Sequence, residues 1–129
     1  MNEPAAQIES LSAVTLTVAD IARSTRFYDA LGFTRKPGDD VPGFASYVLG
    51  GGAQPAYLNL LEAPNGPHPA FGGWGRVIVH VSDVDAFYER LVALGVAPEF
   101  APADAPWGER YFHVTDPDGH ELSFAKPLA

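Results

Sequence analysis

The sequence contains no cysteine among its 129 residues. That absence excludes disulfides, thiolate metal centres and cysteine nucleophiles together. Basic residues are scarce: 8 Lys and Arg stand against 16 Asp and Glu, for a net charge of −8. So acidic a surface repels phosphate backbones, and nucleic acid is not an expected partner. No apolar run reaches the roughly 18 residues that a membrane span needs, so no membrane partner is expected. Met1 to Ser10 lacks a basic region followed by an apolar stretch, so no secretory leader is expected. With cysteine also absent, the expected compartment is the cytoplasm. There is no Gly-x-Ser-x-Gly elbow and no phosphate loop. Gly72-Gly-Trp-Gly75 precedes a strand-like segment and opens no helix, so it is not a nucleotide fingerprint.

The length is that of one domain, and a hydrophobic fraction of 47% suits a packed core. An internal repeat organises the chain. Val14 to Ile21 reads like Val77 to Val84, and Asp83 lies 63 residues after Asp20. The same shift carries Leu31-Gly32-Phe33 onto Leu94-Gly95-Val96. Each copy opens with an alternating strand, Val14, Leu16, Val18 or Val77, Val79, Val81. Asp20 and Asp83 stand where a side-chain oxygen caps a following helix. Ile21, Ser24, Phe27, Tyr28 and Leu31 then share one helical face. Val84, Phe87, Tyr88, Leu91 and Leu94 do the same. Gly32 and Gly95 suit left-handed helix ends.

Three more strands are expected per copy. In the first they are a weak segment at 33–36, then Phe44 to Leu49 and Ala56 to Leu61 around Gly50-Gly51-Gly52. In the second they are a weak segment at 98–101, then Tyr111 to Thr115 and Glu121 to Ala125 around Asp116-Pro-Asp-Gly119. The expected class is α+β: two tandem β-α-β-β-β modules, 12–62 and 76–126, joined by a Pro- and Gly-rich linker at 63–75 within a single domain spanning 1–129. Each module is a curved mixed sheet with a helix on one face, and the other, concave face builds a cavity.

Three stretches carry a family resemblance. Thr17 to Phe33 (TVADIARSTRFYDALGF) and His80 to Val96 (HVSDVDAFYERLVALGV) resemble the openings of two vicinal oxygen chelate modules. Trp107 to Ala125 (WGERYFHVTDPDGHELSFA) resembles the closing hairpin, and its Trp-Gly-x-Arg start is similar to bleomycin-resistance-type members of the glyoxalase and dioxygenase group. The resemblance implies the fold above. It also implies four metal-ligand positions, which in this chain hold Ala13, Asn59, Arg76 and Ser123. Glu62 competes with Asn59 if that strand is shifted. Alanine offers no donor, arginine is permanently cationic, and Asn and Ser are weak neutral donors. No metal and no other cofactor is therefore expected.

Alternation sets His80 beside Arg76 and Ile78 toward the cavity, as a candidate for acid–base or ligand contact; a strand histidine bonded to a neighbour is the plainer alternative. His113 and His120 flank the hairpin turn, as a diagonal pair on one face or a surface pair with no role. His68 lies in the linker. Trp74 and Trp107 precede strands in glycine-flanked loops, and Phe44, Tyr47, Tyr57, Phe71 and Phe112 are further aromatics for the cavity or the core. Arg76 and Arg110 suit a carboxylate or a stacked ring.

The expected ligand-binding set is thus Asn59, Trp74, Arg76, His80, Trp107, Arg110, Phe112 and Ser123. One expected function is metal-independent sequestration of an aromatic or cationic compound, as in antibiotic resistance. The alternative is a lyase, isomerase or dioxygenase-type enzyme with an atypical metal site or His80 acid–base chemistry. A third is a binder of an ordinary metabolite. Open sheet edges and a half-covered face lead to the expectation of a homodimer.

Overall fold

The computed structural model describes residues 11–38, 41–53, 55–63 and 76–128. The chain runs β1 (Ala13–Val18), α1 (Ile21–Leu31), β2 (Thr34–Arg35), β3 (Phe44–Leu49) and β4 (Ala56–Glu62). It continues with β5 (Val77–His80), α2 (Val84–Ala93), β6 (Ala103–Asp104), β7 (Glu109–Thr115) and β8 (Glu121–Pro127). Two four-stranded sheets result, ordered β1-β4-β3-β2 and β5-β8-β7-β6. In each, the first strand pairs parallel to the last and the remaining pairs are antiparallel. The architecture is the expected α+β pair of β-α-β-β-β units with mixed sheets.

The repeat extends to the hydrogen bonds at the helix ends. Asp20 accepts from the Arg23 N–H at 3.1 Å, and Asp83 from the Ala86 N–H at 3.0 Å. At the C-termini, Phe33 N–H reaches the Tyr28 carbonyl and Gly32 N–H that of Asp29. Val96 to Leu91 and Gly95 to Val92 repeat the pattern 63 residues later. This closure needs one residue in the left-handed region, and Gly32 (φ 100°) and Gly95 (φ 89°) supply it.

The alternating strand residues turn inward as expected. Leu16 and Val18 are buried, as are Leu58, Leu60, Phe112, Val114, Leu122 and Phe124 under the helices. Leu94 departs from its expected helical stripe and is exposed, because α2 ends one residue before it. The short edge strand of the second unit also lies elsewhere than expected, at Ala103–Asp104 and not at 98–101. Pro98 and Pro102 have no N–H to donate to a ladder. Instead the Glu99 N–H bonds the His113 carbonyl at 2.9 Å, and the Phe100 ring packs on Tyr111.

The units join on their helix sides. Phe33 meets Phe124 at 6.3 Å between ring centres. The β7–β8 turn holds the start of α1. Asp118 accepts from the Ala19 N–H, the Ser24 hydroxyl and the Arg23 guanidinium at 2.8–3.0 Å, and Tyr28 donates to Asp116 at 2.8 Å. Burial pushes the Asp116 carboxyl up, against the Tyr28 and His120 hydrogen bonds that pull it down. Burial likewise raises the Tyr28 phenol well above its ordinary value, with the Asp116 charge adding to it. Among the described residues, no helix is long and apolar enough to cross a membrane.

Candidate ligand-binding face

Each sheet has one face packed under its helix and one open face. Alternation decides which side chains reach the latter. On β5 they are Ile78 and His80, both exposed, with Arg76 just before the strand. Register then sets the rest. Ile78 stands beside Ser123 and Ser123 beside His113, so Glu121, Ser123, Glu109, Tyr111 and His113 share that face.

These residues form a polar and aromatic surface. The Arg76 Nε donates to Glu121 Oε1. Although burial pushes the Glu121 carboxyl up, the hydrogen bond from Arg76 and the charges of His113 and Arg76 together hold it low. The His80 Nε2 lies 2.9 Å from Glu109 Oε2, and the Trp107 Nε1 donates to the other Glu109 oxygen at 3.0 Å. The Trp107 ring stands 5.2 Å from Tyr111. The His113 ring lies between Phe100 and Tyr111 at 5.1 and 5.2 Å, and burial pushes its pKa down.

The open face of the first sheet differs. The Ser46 hydroxyl donates to Asn59 Oδ1 at 2.7 Å, and the Asn59 amide donates to Thr15 at 3.3 Å. Lys36 stands over the Tyr57 ring at 5.3 Å, and Leu61 is exposed beyond Asn59.

Of the expected binding set, Arg76, His80 and Trp107 lie on one open face, Ser123 is on the same side of that sheet but buried, and Asn59 lies on the other sheet. Trp74, Phe71 and His68 are outside the described residues. Two candidates lie on the wrong side of their strand. Phe112 is fully buried against Phe124 and Tyr88. Arg110 turns to α2, where Asp85 takes a two-point bond at 2.9 Å and Asp104 another at 2.9 Å. The reason is strand parity, since even-numbered β7 side chains face the helix. Tyr47 is core for the same reason.

His113 and His120 are not a surface pair, nor do they share a face. His120 is buried on the helix side, with its Nε2 2.7 Å from the Thr17 carbonyl. Glu62 is no alternative to Asn59. Its Oε2 accepts the Ile21 N–H at 2.9 Å, so it serves the start of α1. Glu99, Glu109, Tyr111, His113 and Glu121 were missed as a group. The period-two pattern Glu109, Tyr111, His113, Thr115 was the available signal, but it does not say which phase is open.

The four positions at which the resemblance implies metal ligands do not fit a metal. Ala13 has no donor atom, the Asn59 carboxamide is committed to Ser46 and Thr15, Arg76 is itself a permanent cation, and Ser123 offers only a buried neutral hydroxyl. A separate groove of about 540 Å³ lies on the helix side, lined by Phe27, Leu94, Val96 and Pro117 among others. It is mostly apolar, and Arg76, His80, Trp107 and Ser123 are not among its lining residues.

Comparison with known proteins agrees with this fold. Residues 10–124 match the model of the Glyoxalase/Bleomycin resistance protein/Dioxygenase superfamily. The chain is 30% identical to a bleomycin resistance protein of Geobacillus stearothermophilus, over 91% of this chain and 96% of that one. A solved glyoxalase/bleomycin resistance protein/dioxygenase from Nocardioides superposes with a TM-score of 0.70 at 28% identity, over 95% of this chain and 86% of that one. A superfamily member from Sphaerobacter thermophilus gives 0.71 at 27% identity, over 92% and 97%. With a repeated β-α-β-β-β unit and a match over nearly its whole length, the chain belongs to the glyoxalase, bleomycin resistance and dioxygenase superfamily.

Proposed function

We propose that the open face of the second sheet binds a flat, cationic organic molecule without turnover and without a metal at the four superfamily positions. One observation carries this reading: Glu109 and Glu121 share a face with exposed Trp107 and with Tyr111. Aromatic planes take up a flat ligand at low entropic cost, and carboxylates beside them select positive charge. The net charge of −8 reinforces that selection over distance. The relatives named bleomycin resistance proteins support the sequestering role over an enzymatic one.

A small apolar and polar surface of this kind becomes a pocket when a second wall covers it. We place that wall on a second copy of the chain, whose Asn59 face would stand opposite. The exposed Ile78 and Leu61 on the two open faces favour such a homodimer. Sedimentation at micromolar concentration should give twice the chain mass; a monomer would remove the second wall.

Binding is tested by calorimetry and tryptophan fluorescence with cationic aromatic antibiotics, aromatic acids and common metabolites. Cationic aromatics should bind chelator-treated protein undiminished. Glu109→Gln and Trp107→Ala should each weaken them about tenfold, the scale of a well-placed interface contact. Arg76→Ala should leave them unchanged or strengthen them. Hits that ignore all three substitutions would move the site elsewhere.

The His80–Glu109 pair at 2.9 Å favours a second reading, acid–base catalysis, because a carboxylate orients an imidazole for proton transfer. Mass spectrometry of each hit after prolonged incubation decides it. A product that His80→Gln abolishes would establish the enzyme.

A further inference from the structure

Beside the aromatic end of this face, three donors converge from three segments of the chain. Glu99 comes from the loop before β6, His113 from β7 and Glu121 from β8. One ligand atom of each lies within 4.8 Å of the others. The His113 Nδ1 stands 3.6 Å from Glu121 Oε1 and 4.0 Å from Glu99 Oε1. Both distances are too long for good hydrogen bonds. They are close to the separation of two ligands on one ion, which is about 3.4 Å for bonds of about 2.1 Å at tetrahedral angles.

The donors are also held in place. His113 is only 9% exposed and is flanked by the Phe100 and Tyr111 rings, with no side-chain hydrogen bond among the described residues. The Glu99 backbone is tied to β7 through the His113 carbonyl. The Thr115 hydroxyl donates to Glu99 Oε2 at 2.9 Å, which leaves Oε1 as the oxygen nearest the imidazole.

We propose that Glu99, His113 and Glu121 form an exchangeable site for one divalent transition-metal ion. None of the three occupies a position at which the superfamily resemblance implies a ligand; those of this sheet are Arg76 and Ser123. Two carboxylates and one imidazole leave coordination positions for water or a chelating ligand, and they suit zinc, cobalt or manganese. Magnesium prefers oxygen donors and should bind less tightly. Arg76 bonds Glu121, and its charge opposes the ion, which makes the site weak and exchangeable. The site shares Glu121 with the proposed ligand face, so the organic ligand is tested on chelator-treated protein and zinc on protein free of organic ligand.

The test is titration of the full chain with zinc sulfate alone, read by calorimetry and by equilibrium dialysis with elemental analysis. One zinc per chain is expected, removable by chelator. Glu99→Gln and His113→Gln should each weaken it at least about tenfold, since even outer-sphere partners of a ligand matter on that scale. Glu99 is exposed, so its variant reports on binding even if His113→Gln unfolds. Arg76→Met should tighten binding about tenfold, the effect of removing one charge about 6 Å from a doubly charged ion in water. His80→Gln should change nothing. Substoichiometric zinc, zinc that survives Glu99→Gln, zinc lost in His80→Gln, or weaker binding in Arg76→Met would each overturn the proposal.

Discussion

The two sheets share strand order, cap chemistry and helix closure, yet their open faces carry different chemistry. The first turns Thr15, Ser46 and Asn59 outward, and these neutral groups bond one another across the strands. The second turns Glu109, Tyr111, His113 and Glu121 outward, with Arg76 and His80 alongside. Under the helices the two remain alike, with Tyr28, Leu31 and Tyr47 in one and Leu91, Phe112 and Phe124 in the other. Packing constrains the helix-facing parity, because a buried side chain touches many neighbours. The open parity is free to change its chemistry without disturbing the fold.

If that division is real, the largest loss of stability comes from the covered side. Phe124 touches Phe33, Phe87 and Phe112 and so belongs to both units. Phe124→Ala should cost about 3–5 kcal/mol in urea unfolding. A cost below about 1 kcal/mol would show that the units do not share one core.

The β7–β8 turn is where the units are no longer equivalent, since Asp118 serves α1 and not its own helix. Asp118→Ala leaves the Ser24 hydroxyl and the Ala19 N–H without their acceptor. We expect a loss of about 2–3 kcal/mol, discounted because Arg23 is partly exposed. The two helix caps sharpen the symmetry instead. Asp20→Ala and Asp83→Ala should each cost about 1 kcal/mol, and equally within error. A twofold inequality would mean that tertiary contacts had taken over one cap.

Asp116 gives a pH signature. Burial raises its folded-state pKa above the unfolded value, so the native state holds the proton more tightly. Through this residue, stability falls as pH rises from about 4 through the folded pKa. Asp116→Asn keeps an oxygen for the Asp118 and His120 N–H groups, replaces the acceptor of the Tyr28 hydroxyl by a donor, and removes that term. The variant should therefore lose more stability than the parent between pH 7 and pH 4, measured as urea midpoints across that range. The smallest effect belongs to the open face: Trp107 is 64% exposed, and Trp107→Ala should alter stability by less than about 0.5 kcal/mol. A larger loss in the isolated chain would mean that the face is already packed.

Much of the fold was legible because it is written twice. A pattern recurring at a shift of 63 residues, with Asp before each helix and Gly after it, permits few other arrangements. The candidate site was half legible. Arg76, His80 and Ser123 follow from phase beside strong motifs. Arg110 and Phe112 were chosen for their chemistry, and β7 turns both toward the helix.

By itself, then, the sequence determined the elements, their order and their repetition, because caps, turns and hydrophobic period act over a few neighbouring residues. The tertiary structure decided which phase of β7 is open, that Glu62 serves α1, and that Glu99 meets His113 and Glu121. Each of these depends on strand register and on contacts between segments far apart in the chain. A period of two cannot encode them, because it reads the same from either face of a sheet.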